Sequence, residues 1–99
     1  MSQVYVKIQK MGKQTLLAAC DIELVGKTLR EGNIVFKVRE EFYKGTKVSI
    51  DEAIGLMEDC SIVNIVGQCI VGKATEKGFV HPDAVLEISG VPHAQIMKL

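Results

Sequence analysis

The pattern that most constrains the fold lies at the start of the chain. Apolar and polar residues alternate over 3–9, and residues 15–20 form a continuous apolar run. Alternation with a period of two is typical of a strand with one buried face, and a short apolar run is typical of a strand buried on both faces. Only the polar segment 10–13, which contains Gly12, separates them. The chain therefore begins with a predicted antiparallel hairpin.

The next quarter of the chain is less regular. Residues 21–32 are predicted to form a loop punctuated by Gly26 and Gly32, and residues 34–38 a third strand. The polar stretch 39–47 is predicted to be a connection whose aromatic residues, Phe42 and Tyr43, pack back onto the domain.

Two helices are predicted in the middle of the chain. Ser49 followed by Glu52 is a capping-box pattern, which predicts a helix from residue 49 to about residue 58. Over 62–77, the β-branched residues and Gly67 favour a buried strand, whereas the apolar positions recur with the spacing of a helix stripe. We give the spacing more weight and predict a second helix over 62–77, with Gly78 as its cap.

Two more strands, over 84–89 and 93–98, complete the predicted order βββααββ. Strands followed by helices and then strands indicate the α+β class. We expect a mixed, mostly antiparallel sheet of four to five strands with two helices on one face. At 99 residues and 10.9 kDa, the chain is expected to form a single domain over 1–99.

Charge excludes one simple mode of binding. The formal net charge is zero, which argues against coating nucleic acid or an anionic membrane by bulk attraction. The charges are uneven, however: residues 1–48 hold nine basic and five acidic side chains, and residues 49–99 hold three basic and seven acidic ones. The basic half can meet RNA phosphates, or it can face the acidic half of the same fold.

Cysteine usage and hydropathy indicate a cytoplasmic protein without a membrane segment or secretion signal. No window of 18 apolar residues occurs, and no pair of the three cysteines has metal-ligand spacing. We therefore expect free thiols, with Cys20 and Cys69 as small buried apolar residues, and neither a metal nor another cofactor.

The first candidate site is the segment Lys27, Thr28 and Arg30. Gly26-Lys27-Thr28 resembles the end of a phosphate-binding P-loop, but the glycine required at position 21 is an aspartate and a strand follows instead of a helix. Nucleotide hydrolysis is therefore rejected. A basic loop bounded by glycines can still hold one phosphate by charge-assisted hydrogen bonds, the alternative being a solvated loop.

The second candidate is the Gly-Val-Pro-His-Ala-Gln segment at 90–95. In an extended segment, His93 and Gln95 point to the same side and can bind a polar ligand or a base edge. His93 is also a weak candidate for a general base, alone or with Cys20 as a nucleophile. The alternative is a histidine that only holds a turn. No other catalytic residue is assigned.

Four segments identify a family resemblance. The runs VGKTLREG (25–32), EFYKG (41–45), IVNIVG (62–67) and GVPHAQI (90–96) resemble an archaeal family described as domain of unknown function 424. The resemblance implies a cytosolic archaeal protein of about this size that occurs as a single domain. It brings no activity, ligand or residue role.

Three functions are consistent with these features. The first is a non-enzymatic binding module for an anionic partner, RNA or a ribonucleoprotein, with Lys27, Thr28, Arg30, His93 and Gln95 as contacts. The second is a small enzyme or ligand-binding protein with a site around residues 90–95. The third is a structural role in which a symmetric homodimer pairs open sheet edges.

Overall fold

The computed structural model describes residues 2–98, which form strands, α-helices and two short 3-10 turns. The strands are β1 (Gln3–Met11), β2 (Gln14–Asp21), β3 (Thr28–Glu31), β4 (Ile34–Lys37), β5 (Thr46–Ser49), β6 (Ile62–Val66), β7 (Leu86–Ile88) and β8 (Val91–Met97). The helices are α1 (Glu40–Tyr43), α2 (Ile50–Met57) and α3 (Gln68–Glu76), and the 3-10 turns are Ile22–Leu24 and Pro82–Ala84.

Six of these strands form one sheet in the spatial order β5-β1-β2-β6-β8-β7, and β3 and β4 form a separate hairpin. Among the strand pairs of this sheet within residues 2–98, only β2 and β6 run parallel. The predicted class, α+β with a mixed and mostly antiparallel sheet, is confirmed, although the sheet has six strands instead of four to five. The predicted order βββααββ is wrong, because residues 2–98 form ββββαβαβαββ. The predicted N-terminal hairpin is confirmed as β1 and β2, paired from Val4–Asp21 to Met11–Gln14.

The predicted helix over 62–77 is wrong in its first third. Residues 62–66 form strand β6, and only residues 68–76 form helix α3. Gly67, with a φ of 122°, separates the strand from the helix. Strand β6 lies between β2 and β8, and Val63, Ile65 and Val66 are all buried. A strand buried on both faces has apolar residues at successive positions, and such a run also contains the spacing of a helix stripe.

Two predicted connections also contain regular structure. The predicted loop over 21–32 includes strand β3, which turns at Gly32 and Asn33 into β4, and the predicted connection over 39–47 includes α1 and the start of edge strand β5. Leu29 is the one apolar residue in β3, so no alternation of apolar residues reveals that strand. The expected packing of Phe42 and Tyr43 back onto the domain is confirmed.

The sheet is covered on both faces. Helices α2 and α3 pack on one face, where Met57 and Ile70 contact a cluster that includes Leu17 of the sheet, so the prediction of two helices on one face is confirmed. Ser49 caps α2 as expected, because its Oγ accepts a hydrogen bond from the Glu52 N–H at 3.1 Å. The hairpin of β3 and β4, together with α1, covers the other face. We call these the helix face and the hairpin face.

A buried carboxylate joins the parallel strands to α3. Asp21, the last residue of β2, is 3% exposed, and its two oxygens accept hydrogen bonds from Cys69 N–H at 2.8 Å and Ile70 N–H at 3.0 Å. These amides lie in the first turn of α3, where backbone donors have no partner within the helix. A Cβ at Gly67 would overlap this carboxylate, so glycine is required there by contact as well as by its φ.

All peptide bonds that the structure describes are trans, including Val91–Pro92. No helix within residues 2–98 has the length and hydropathy needed to cross a membrane.

Replacing Asp21 by alanine is expected to lower the free energy of unfolding by about 2–3 kcal/mol, because two buried amides lose a charged acceptor. Gly67→Ala should cost at least about 3 kcal/mol, since the new methyl group overlaps the carboxylate and φ is unfavourable. In the Asp21→Ala background, the cost of Gly67→Ala should decrease because the overlap is gone. Urea unfolding of wild type, the two single variants and the double variant measures the coupling between Asp21 and Gly67. Additive losses of stability would show that the two residues do not interact.

Candidate functional site

His93 and Gln95 lie on the hairpin face of β8, one after the other. His93 pairs with Val66 of β6 and Leu86 of β7, whereas Gln95 pairs with Asn64 of β6. His93 is half-buried and Gln95 is exposed. Because residues two apart on a strand point to the same side, the expectation that these two side chains share a face is confirmed.

A hydrogen-bonded network fixes the His93 ring. The Tyr43 hydroxyl donates to Asn64 Oδ1 at 2.6 Å, and His93 Nε2 lies 3.1 Å from the same oxygen. An amide oxygen only accepts hydrogen bonds, so Nε2 carries the proton in the neutral ring and Nδ1 is left as an acceptor. Tyr43, contributed by α1, is 2% exposed, and its hydroxyl thus links the helix covering this face to the centre of the sheet.

Burial keeps the titratable groups of this face neutral. Removal from water lowers the pKa of His93. It also raises the pKa of the Tyr43 phenol, and repulsion from the Cys20 sulfur, when that thiol is ionised, is a smaller cause of the same increase. Burial, followed by the negative charges of Asp21 and Glu23, raises the pKa of the Cys20 thiol to about 12. A thiol with this pKa stays protonated at neutral pH and is a poor nucleophile.

The suggested pair of Cys20 and His93 is separated by a strand. Cys20 of β2 pairs with Val66 of β6, which in turn pairs with His93 of β8. Two strand spacings amount to roughly 10 Å, beyond hydrogen-bond reach. This arrangement does not support a nucleophile and base.

The hairpin of β3 and β4 is anchored on the sheet at two points. The Phe36 ring packs against the His93 ring, with their centroids 4.7 Å apart. Near the hairpin turn, Glu31 Oε1 accepts a hydrogen bond from the Ser89 N–H at 2.6 Å. The inward face of the hairpin therefore includes Phe36 and its cross-strand partner Leu29, which is buried.

The outward face of the hairpin carries the cations. Thr28 pairs with Lys37, and Arg30 pairs with Val35, so these four side chains alternate with Leu29 and Phe36 and point away from the sheet. All four are exposed, as is Lys27 at the base of the hairpin. Among residues 2–98, neither Lys27, Arg30 nor Lys37 forms an ion pair. We call Lys27, Thr28, Arg30 and Lys37 the hairpin cation surface.

The five residues singled out in the sequence thus lie in two groups. Lys27, Thr28 and Arg30 belong to the hairpin cation surface, whereas His93 lies beneath the hairpin and Gln95 lies further along β8. That these five residues contact the same ligand remains a prediction. Lys37 was missed, although its position between Phe36 and Val38 places it on the opposite side of a strand from them.

The cysteines and the cavity near Cys69 are the remaining places where a chemical site could be sought. All three cysteines are free thiols, and Cys69 is exposed at the start of α3, so the expectation that it is buried was wrong. A cavity of about 250 Å³ beside the start of β8 is lined by Val91, with Asp21 and Cys69 among its other residues. Within residues 2–98, no three metal-binding side chains lie together in a group that could hold an ion.

These features define a small α+β domain in which a basic hairpin covers one face of a six-stranded sheet. The chain matches the family described as "Protein of unknown function (DUF424)" over residues 8–99, and it belongs to that family. The resemblance seen in the sequence is thereby confirmed.

A solved structure shares this architecture. The crystal structure of an uncharacterized conserved protein from Methanopyrus kandleri matches with a TM-score of 0.80 and 28% sequence identity, covering 99% of this chain and 95% of that one. Comparison with curated proteins gave no significant match.

Stability is expected to fall as the pH is lowered through about 6.5, the ordinary pKa of histidine in an unfolded chain. The folded state depresses the pKa of His93, so the unfolded state binds more protons and gains relative stability as the pH falls. His93→Gln keeps an N–H donor for Asn64 but does not titrate, so it should reduce this loss. Urea unfolding at pH 7.5 and 5.5 measures it.

The matched control is His81→Gln, because His81 lies in an exposed turn. This variant should retain the wild-type difference between the two pH values. If wild type and His93→Gln lose the same free energy of unfolding between pH 7.5 and 5.5, the loss does not come from His93.

Proposed function

We propose that this protein is a non-enzymatic binding module for RNA, free or within a ribonucleoprotein particle, and that the hairpin cation surface makes the contact. The observation that supports this proposal is the grouping of Arg30 and Lys37 on the outward side of one hairpin, with exposed Lys27 at its base, and none of the three forms an ion pair within residues 2–98. Unpaired cations at fixed positions are suited to the phosphates of a nucleic acid backbone.

The chemistry of each residue type fits this role. Arg30 can donate two parallel hydrogen bonds to one phosphate, whereas the lysines act as point charges and the Thr28 hydroxyl can donate one more bond. Cross-strand partners on such a ribbon lie about 5 Å apart and alternate residues about 7 Å apart. Thr28, Arg30 and Lys37 therefore present a compact array of donors, with Lys27 next to them at the base of the hairpin.

Anchoring of the hairpin supports the proposal further. Phe36 against His93, and Glu31 against Ser89, hold the ribbon before any partner binds. Less conformational entropy is then lost on binding than with a flexible basic loop. In this proposal His93 is a positioning residue that acts through Phe36. Gln95, which is exposed two residues further along β8 on the same face of the sheet, is a further polar contact.

We further propose that the protein is located in the cytoplasm of an archaeal cell. Free cysteines suit a reducing compartment, and the related crystal structure comes from an archaeal organism.

The double variant Lys27→Glu/Arg30→Glu tests the proposal. For wild type, binding to tRNA and ribosomal RNA fragments should weaken with salt, with a slope of log K against log salt of about −2 to −3 for three phosphate contacts. The variant should bind at least about tenfold more weakly and show a shallower slope. Fluorescence anisotropy over a salt series measures both quantities.

The matched control reverses two other lysines. Lys10→Glu/Lys13→Glu makes the same change in net charge on exposed residues at the turn between β1 and β2, outside the hairpin cation surface. It should bind nearly as well as wild type. Equal losses in the two double variants would show that only overall charge matters, and undetectable binding to every RNA would remove the proposal.

A further inference from the structure

A groove runs along the helix face of the sheet, on the opposite side from the hairpin. It has a volume of about 480 Å³, and one wall is the side of α3 that presents Val71, Gly72 and Thr75. Its floor includes Val85 and Glu87 at strand β7. The groove lies where α3 packs over the central strands and leaves the helix face of β7 open, whereas Ile88 of β7 is buried on the hairpin face.

Strand β7 is an edge of the six-stranded sheet. It pairs with β8 on one side, and no strand within residues 2–98 pairs with its other side. Such an edge presents main-chain donors and acceptors that an extended segment of another chain can use. A groove between an edge strand and a helix therefore offers a peptide both main-chain hydrogen bonds and pockets for alternate side chains.

Gly72 leaves open space beside α3 in the wall of the groove. Glycine in the interior of a helix is less favourable than any residue except proline. A Cβ at position 72 would meet no atom within 4 Å, so packing inside this chain does not require glycine. The residue lies in the groove wall, where the missing side chain leaves room for the backbone of a bound segment.

The charge in the groove indicates what kind of segment fits. Glu87 is exposed on the groove floor and forms no ion pair in residues 2–98. The nearby amide of Gln68 donates instead to Gly90 O at 3.4 Å. A basic side chain would complement the carboxylate, and apolar side chains would suit Val71 and Val85.

We propose that this groove binds an extended peptide segment of a partner protein, which adds a strand to β7 and places a lysine or arginine against Glu87. The proposal does not depend on RNA binding, because the hairpin cation surface lies on the other face of the sheet.

A second copy of this chain fits the groove less well. Two copies that paired antiparallel through β7 about a two-fold axis would bring the central residue of the strand, Glu87, close to the same residue of the other copy. Like charges directly opposite each other in a sheet are destabilising. The same carboxylate that favours a basic peptide therefore disfavours this symmetric dimer.

The first experiment selects ligands from a library of random eight-residue peptides displayed on phage, with the whole protein as the target. Enriched sequences should contain a basic residue with apolar residues at alternating positions. A synthetic peptide of the selected sequence should shift the amide resonances of residues 68–75 and 86–88 in an NMR titration. No enrichment, or shifts confined to other surfaces, would overturn the proposal.

Two variants then test the contacts by anisotropy with the same labelled peptide. Gly72→Ala should weaken binding about tenfold while raising the urea midpoint of the protein, because alanine favours the helix but fills the groove wall. Gly55→Ala is the matched control, since Gly55 is also an exposed helix glycine with an open Cβ position, in α2. It should stabilise the protein and leave binding unchanged.

Glu87→Lys should abolish the preference for basic peptides and select acidic ones instead. Unchanged binding in Gly72→Ala, or an unchanged preference in Glu87→Lys, would each overturn the proposal. So would sedimentation of the wild type as a dimer that Glu87→Lys alters, since the occupant would then be a second copy.

Discussion

The fold depends on where the chain places one buried charge. Asp21 ends β2 where the parallel strands β2 and β6 finish together, and it binds the first turn of α3 through two backbone amides. Burial raises the pKa of this carboxyl, whereas the two amide hydrogen bonds oppose the increase. Gly67, held by a hydrogen bond from its N–H to Pro92 O, connects the same point to β8. Asp21 and Gly67 together therefore connect the ends of β2 and β6 to α3 and β8.

The two faces of the sheet differ in what covers them. The helix face holds most of the aliphatic core, and the groove beside β7 opens at one edge of this face. The hairpin face contains the polar network of Tyr43, Asn64 and His93, which the hairpin covers. Because Leu29 and Phe36 are used to cover this network, the alternate positions of the hairpin must point outward. The cations are exposed as a consequence of strand geometry.

Much of the scaffold could be predicted from the sequence, because local patterns determine it. Alternation defines β1, and Ser49 with Glu52 defines the start of α2. Strand β6 could not be distinguished from a helix because both its faces are buried. Strand β3 was missed because tertiary packing of Leu29, and not a local pattern, holds it. The basic segment at 27–30 was found, but Lys37 was not, since its proximity depends on the register of a hairpin that was not predicted.

In the proposed function, RNA contacts the hairpin cation surface, with Gln95 of β8 as a further contact. An NMR titration of the labelled protein with a tRNA that binds it locates the contact surface. We expect the amide shifts to concentrate in β3 and β4, around Thr28 and Lys37, and the resonances of the turn between β1 and β2 to remain unchanged. Shifts concentrated at that turn, or on the helix face, would contradict the proposed function.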